Sequence, residues 1–134
     1  EQRSAELVEA LCRRYRVPND YRDLGVLAAR YHTHCHRAAE LKPGTTLELL
    51  ESLDAFRRPE RFEQFLLVCK ADARGREGHA DDAYPQADRL RTAREAAAAV
   101  DAKAIVAEGY RGPDVGEQLR QRRLAAIADR SRAP

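Results

Sequence analysis

Thr45-Thr46-Leu47-Glu48-Leu49-Leu50-Glu51-Ser52-Leu53-Asp54-Ala55-Phe56-Arg57-Arg58-Pro59-Glu60-Arg61-Phe62-Glu63-Gln64-Phe65-Leu66 is the stretch whose reading decides the fold class. Leu47, Leu50, Leu53 and Phe56 fall on one face of a 3.6-residue period, and no alternation of period two competes with it. Thr45 followed by Glu48 has the form of a capping box, so a helix is expected to begin there. Pro59 lacks an amide hydrogen and suits the first turn of a second helix. That helix would turn Phe62, Phe65, Leu66 and Cys69 inward.

The same period extends in both directions. Towards the N-terminus, Leu7, Val8, Leu11, Cys12 and Tyr15 predict an amphipathic helix that Pro18 stops. Asn19 or Asp20 can cap the next helix, which carries Leu24, Leu27, Ala28 and Tyr31 and fades near Lys42-Pro43-Gly44. Towards the C-terminus, Gly75 to Tyr84 breaks the pattern and is expected to be the longest loop. Pro85 reopens a helix through Leu90, Ala96 to Ala99 and Val100. Asp101 caps a short one with Ile105 and Val106, closed by Gly109. Pro113 starts the last, with Val115, Leu119, Ala126 and Ile127 on one face, and Arg130-Ser131-Arg132-Ala133-Pro134 is expected to fray. The reading is all-α: about seven helices in an irregular bundle, without a strand or an internal repeat.

Composition bounds the rest. The chain has 134 residues and a formal charge of +2, from 24 Lys plus Arg against 22 Asp plus Glu. Hydrophobic residues make up 43%, and 24 of them are Ala, so the core must rest on a limited set of larger side chains. No apolar run approaches the roughly eighteen residues that a membrane helix needs. No basic-then-apolar leader opens the chain. Three Cys cannot close a disulfide framework, which favours a reducing, cytoplasmic setting. Met is absent even from position 1, so the chain is expected to be processed or cut from a longer one. Of the basic residues 21 are Arg. Arg reads phosphate with a planar fork of donors, although a GC-rich genome would produce the same bias.

Several constellations could carry chemistry. In Tyr31-His32-Thr33-His34-Cys35-His36, His32 and His36 share a helix face one turn apart and could form half of a metal site, with Cys35 near by. The alternative is a polar helix end with solvated histidines. In Cys69-Lys70-Ala71-Asp72-Ala73-Arg74-Gly75-Arg76, two Arg flank a Gly and could approach a phosphate backbone closely. The plainer alternative pairs Asp72 with Arg76 and lets Gly75 close the helix. Arg stripes recur at Arg13, Arg14 and Arg16, at Arg57, Arg58 and Arg61, at Arg89, Arg91 and Arg94, and at Arg120, Arg122 and Arg123. They fit either a salt-bridged surface or an RNA-binding face. No phosphate loop, nucleophile elbow or paired-Cys zinc motif occurs.

Taken in order, a set of landmarks is more specific than any of these. Arg16-Val17-Pro18-Asn19-Asp20, Arg22-Asp23-Leu24, His32 and His36, Leu53-Asp54-Ala55-Phe56-Arg57-Arg58-Pro59 and Ala71-Asp72-Ala73-Arg74-Gly75-Arg76 come first. Ala83-Tyr84-Pro85-Gln86, Gly109-Tyr110-Arg111-Gly112 and Arg122-Arg123-Leu124-Ala125-Ala126 follow. The string resembles the C-terminal region of bacterial CCA-adding enzymes, tRNA nucleotidyltransferases of the long, multifunctional proteobacterial type. The likeness covers nearly the whole chain.

That resemblance implies a parent enzyme that adds C, C and A to tRNA 3′ ends from CTP and ATP, with magnesium held by carboxylates of an N-terminal head. The head's Gly-Gly loop and Asp-x-Asp pair do not occur in these 134 residues, so the polymerising chemistry is expected upstream of residue 1. Residues 1–44 are then the C-terminal part of an HD-like helical region, and 45–134 a helical tRNA-binding tail. The HD region implies phosphatase, 2′-nucleotidase and 2′,3′-cyclic phosphodiesterase activities with nickel or another divalent ion. A second His-Asp pair of that region aligns with His32-Thr33, so Thr replaces the Asp. The expected metal residues are His32 and His36, and the expected RNA-binding residues are Arg74, Arg76, Arg120, Arg122 and Arg123. Arg122 and Arg123 rank above Arg13 and Arg14 because they belong to the tail landmark. The partners are tRNA, with CTP and ATP through the head, and no membrane; the parent is a monomer or homodimer. A helical protein-interaction module and a metal-dependent phosphohydrolase fragment are the alternatives.

Overall fold

Prolines set the starts of most helices. In the computed structural model, which describes residues 1–132, Pro43, Pro59, Pro85 and Pro113 each stand first in a helix. Their fixed φ suits the first turn, where the missing amide hydrogen costs nothing. The elements run α1 (Gln2–Tyr15), α2 (Asn19–His36), a 3-10 turn (Ala38–Glu40), α3 (Pro43–Ser52), α4 (Pro59–Arg74), α5 (Pro85–Ala98), α6 (Ala102–Ala107) and α7 (Pro113–Arg132). The described residues contain no strand, so the all-α expectation of about seven helices holds.

Two expected caps do not form. Pro18 occupies the cap of α2, and Asn19 is already helical. Helix α3 begins at Pro43, two residues before Thr45, and makes no side-chain cap bond, so the Thr45–Glu48 box is not used. In both places a proline fixes the entry before the polar residue can. Asp101 does cap α6: its carboxylate accepts the Lys103 amide at 2.8 Å. The α1 terminus uses a residue that the sequence did not flag. Arg16 is left-handed (φ 53°), and the Val17 amide reaches back to the Cys12 carbonyl at 3.0 Å.

The core gathers the inward faces of α3 and α4 into one cluster. Leu47, Leu50, Leu53, Phe62, Phe65, Leu66 and Cys69 are all buried, together with Leu49, which the face assignment missed. Leu90 and the small side chains Ala87, Ala93 and Ala97 bring α5 against them, and Ile127 of α7 closes the cluster. Cys35 and Ala38 belong to the same cluster, so one core joins residues on both sides of position 44. Deleting a ring such as that of Phe62 would leave a cavity and cost about 3–5 kcal/mol.

Helix α1 departs most from expectation. Leu7, Leu11 and Tyr15 are 63%, 56% and 65% exposed, whereas Ala5 and Cys12 are buried. The contact with α2 is made through small residues: a Cβ on Gly25 would come within 3.1 Å of Val8 Cγ1. Backbones that approach this closely favour Ala and Gly at the seam and leave the larger side chains outside. The C-terminal tail also differs, because α7 remains helical through Arg132, while Ala133 and Pro134 lie outside the described residues.

Candidate nucleic-acid interface

The loop from Gly75 to Tyr84 is the longest link, as expected, and it is held at both ends. Gly75 has a right-handed φ of −70°, so it does not end α4 in the left-handed manner; Gly78 (φ 83°) takes that conformation within the loop. Arg74 Nε donates to the Asp82 carbonyl at 2.9 Å, and His79 Nδ1 meets Asp82 Oδ2 at 2.7 Å. A cleft of about 270 Å³ opens here, lined by His36, Arg74, Arg76, His79, Asp82 and Tyr84 among others. Arg74 is therefore pre-oriented by one of its five donors, and the rest remain for a ligand. Among the described residues nothing pairs with Arg76, and the expected Asp72–Arg76 pair is absent. Asp72 instead accepts from His36 Nε2 at 2.8 Å.

His36 lies at the centre of a polar chain through the core. Its Nδ1 meets the Tyr84 hydroxyl at 2.8 Å, and Tyr84 Oη lies 3.3 Å from Cys35 Sγ. The neighbouring Cys69 thiol, and then Tyr84, hold the Cys35 thiol below the ordinary cysteine value against the opposing effect of burial. The Cys69 thiol is pushed up by its neighbour Cys35 and by burial. Burial, then the bond to Cys35, pushes the Tyr84 phenol up as well. The chain ties α2, α4 and the start of α5 together beneath the Arg74–Arg76 corner. Tyr84 was visible in the sequence only as part of a landmark, and Asp72 only as a possible partner of Arg76.

The His32 and His36 rings do converge, edge to face with centroids 5.8 Å apart. Their availability differs. His32 Nδ1 donates to the Ala28 carbonyl at 2.8 Å, which leaves Nε2 able to ligate a metal. His36 has both ring nitrogens engaged. Cys35 points into the core rather than towards His32. Among the described residues no three His, Cys, Asp or Glu side chains gather into a metal-holding group, so this chain offers one ready donor rather than a ligand set.

The Arg residues of α7 are largely committed to protein partners. Arg120 reaches Glu48 and Glu51 at 3.4 and 3.5 Å. Arg122 grips both oxygens of Glu108, which holds that carboxyl below its usual range. Arg123 stacks on Phe56 at 4.3 Å, with its Nε buried and unpartnered. The five expected RNA-binding residues thus divide into an available pair, Arg74 and Arg76, and three that brace α7.

The chain is 58% identical over 127 residues, 95% of its length, to the multifunctional CCA protein of Thioalkalivibrio sulfidiphilus. Its likeness is to the C-terminal part of the multifunctional CCA proteins. Similarity to the multifunctional CCA protein of Nitrosococcus oceani is 57% identity over 94% of the chain, and to that of Pseudomonas syringae 49% over 95%. The chain spans about a third of the length of these relatives, 31% in each case. No family model and no solved structure matches it. The likeness read from the landmarks is borne out by these multifunctional CCA proteins. Among the described residues no helix is long and apolar enough to cross a membrane.

Proposed function

We propose that this chain is the tRNA-holding C-terminal portion of a CCA-adding tRNA nucleotidyltransferase, which builds the 3′-terminal CCA of tRNA from CTP and ATP. The observation that carries the reading is the match to multifunctional CCA proteins along 95% of the chain. Residues 45–134 form the tRNA-binding tail, and 1–44 the end of an HD-like region. The shared core makes this a division of function rather than of folding units. Arg74 and Arg76 contact phosphate first, because their donors are free, while Arg120, Arg122 and Arg123 act after giving up protein partners. CTP, ATP and magnesium belong to the parent's head, and the parent works in the cytoplasm.

The HD-like region is partial. Thr33 stands where the resemblance to HD regions implies an Asp, and His36 is held by Tyr84 and Asp72. A nickel or other divalent ion would find His32 Nε2, and would need its remaining ligands from elsewhere in the parent. The isolated chain therefore neither adds CMP or AMP to tRNA nor hydrolyses 2′,3′-cyclic nucleotides. The test combines incorporation of labelled CTP with tRNA binding by the purified chain. Salt-dependent tRNA binding without incorporation is expected. Incorporation free of host enzyme would place the chemistry in this chain, and equal affinity for tRNA and unrelated duplex RNA would favour an interaction module.

A further inference from the structure

A second basic cleft lies at the opposite end of α4, where α1, α2 and α4 meet. Its volume is about 470 Å³, and Arg13 of α1, Arg22 of α2 and Arg61 of α4 line it, with Glu9 and Asp23 as the acids. Arg61 and Arg74 are thirteen residues apart on one helix, roughly 20 Å at 1.5 Å per residue. The two clefts are therefore separate.

The three guanidinium groups are unequally satisfied. Arg22 donates through Nε and one amino group to Asp23 at 3.1 and 3.0 Å. Arg13 reaches Glu9 only at 4.0 Å, and Glu9 is shared with Arg30 at the same distance. Arg61 has no carboxylate among the described residues. Its one side-chain hydrogen bond among the described residues is a long one, 3.3 Å from an amino nitrogen to the Leu53 carbonyl, and its Nε is buried with no acceptor. A buried donor without an acceptor is unfavourable unless a ligand supplies one. Val26 and Leu27 give the cleft an apolar wall.

We propose that this cleft binds a phosphate group, with Arg61 as its fixed donor and Arg13 and Arg22 closing from either side. Donors arriving from three helices match a tetrahedral oxyanion better than a planar carboxylate. The volume exceeds a bare ion, and the Val26–Leu27 wall suits the body of a phosphate ester. That ester is either a free mononucleotide or one phosphodiester of an RNA chain. Neither source depends on Arg74 or Arg76, so the proposal goes beyond the tRNA reading.

The test follows the ¹H–¹⁵N signal of Arg61 Nε in the 134-residue chain during titration with inorganic phosphate, AMP and a short single-stranded RNA. Ionic strength is held constant with chloride. A saturable Arg61 shift is expected with at least one of them. Arg13→Gln, whose side chain is 70% exposed and so leaves the fold intact, should weaken that binding about tenfold, the loss of one charge-assisted contact. Arg37→Gln, whose side chain is 66% exposed and lies outside this cleft, should leave it unchanged. Saturation by phosphate and AMP assigns a small ester, and saturation by RNA alone assigns a phosphodiester; both uphold the site. Shifts equal to those in chloride, or saturation that Arg13→Gln leaves untouched, would overturn it.

Discussion

Replacing Arg74 and Arg76 together by Ala should remove more of the salt dependence of tRNA binding than replacing Arg120 and Arg122. Each phosphate that a cationic side chain neutralises adds about 0.9 to the slope of log K against log salt on a duplex, and about 0.7 on a single strand. Arg76 has no partner among the described residues, and Arg74 spends one donor on the Asp82 carbonyl. Both are thus free to contribute fully, and losing them should flatten the slope by roughly 1.4 to 1.8. Over a fourfold rise in salt, the advantage of the unmodified chain should shrink about tenfold. Arg120 and Arg122 must first leave Glu48, Glu51 and Glu108, so their loss should change the slope by less than about one. The assay is fluorescence anisotropy with labelled tRNA between about 50 and 200 mM salt, supported by melting curves. Arg76→Ala alone should account for about half of the change. An unchanged slope in the Arg74/Arg76 variant, with a full loss in the Arg120/Arg122 variant, would move the interface to α7 and refute the argument from availability.

Three further outcomes follow from the geometry. Tyr84→Phe removes the bonds to His36 and Cys35 and should lower stability in denaturant by about 1–2 kcal/mol. Because the native phenol is held above its unfolded value of about 10, its contribution is complete below that pH and is lost as pH rises past it. Alkaline unfolding of Tyr84→Phe should lack that part of the slope. Arg122→Ala should let the Glu108 carboxyl rise towards its ordinary value, read by carboxyl NMR; an unmoved Glu108 would show that the pair does not persist in solution. Gly25→Leu should push Val8 and α1 away from α2 and cost about 1–3 kcal/mol, read as a lower melting temperature.

The helical character was legible because proline punctuation and the Leu–Phe period agree from Thr45 to Cys69. The face of α1 was not. Periodicity found Val8 and Cys12 but also counted the large side chains Leu7, Leu11 and Tyr15, whereas the seam adds Ala5 and Gly25, whose value lies in how closely they let two backbones approach. The unused Thr45–Glu48 box shows a local signal losing to a stronger neighbour, Pro43. At the candidate site, the sequence placed Arg74 and Arg76 correctly at a helix end beside a loop. It could not separate them from Arg120, Arg122 and Arg123, since availability depends on carboxylates up to 72 positions away, as between Glu48 and Arg120. The partners of His36 were hidden for the same reason: Asp72 and Tyr84 come from distant segments.

The buried thiols give the chain an internal clock for its own opening. Cys12 is 8% exposed, and Cys35 and Cys69 are fully enclosed. None can meet an alkylating reagent until its surroundings part, so each modification rate reads the population of one open state. Cys12 reports separation of α1 from α2 without the core being disturbed. Cys35 and Cys69 report loosening of the α2–α4 packing, and both lie in the one core cluster. A new cysteine placed on the surface would therefore react well before the natural three, which allows a single label to be attached to the wild-type background.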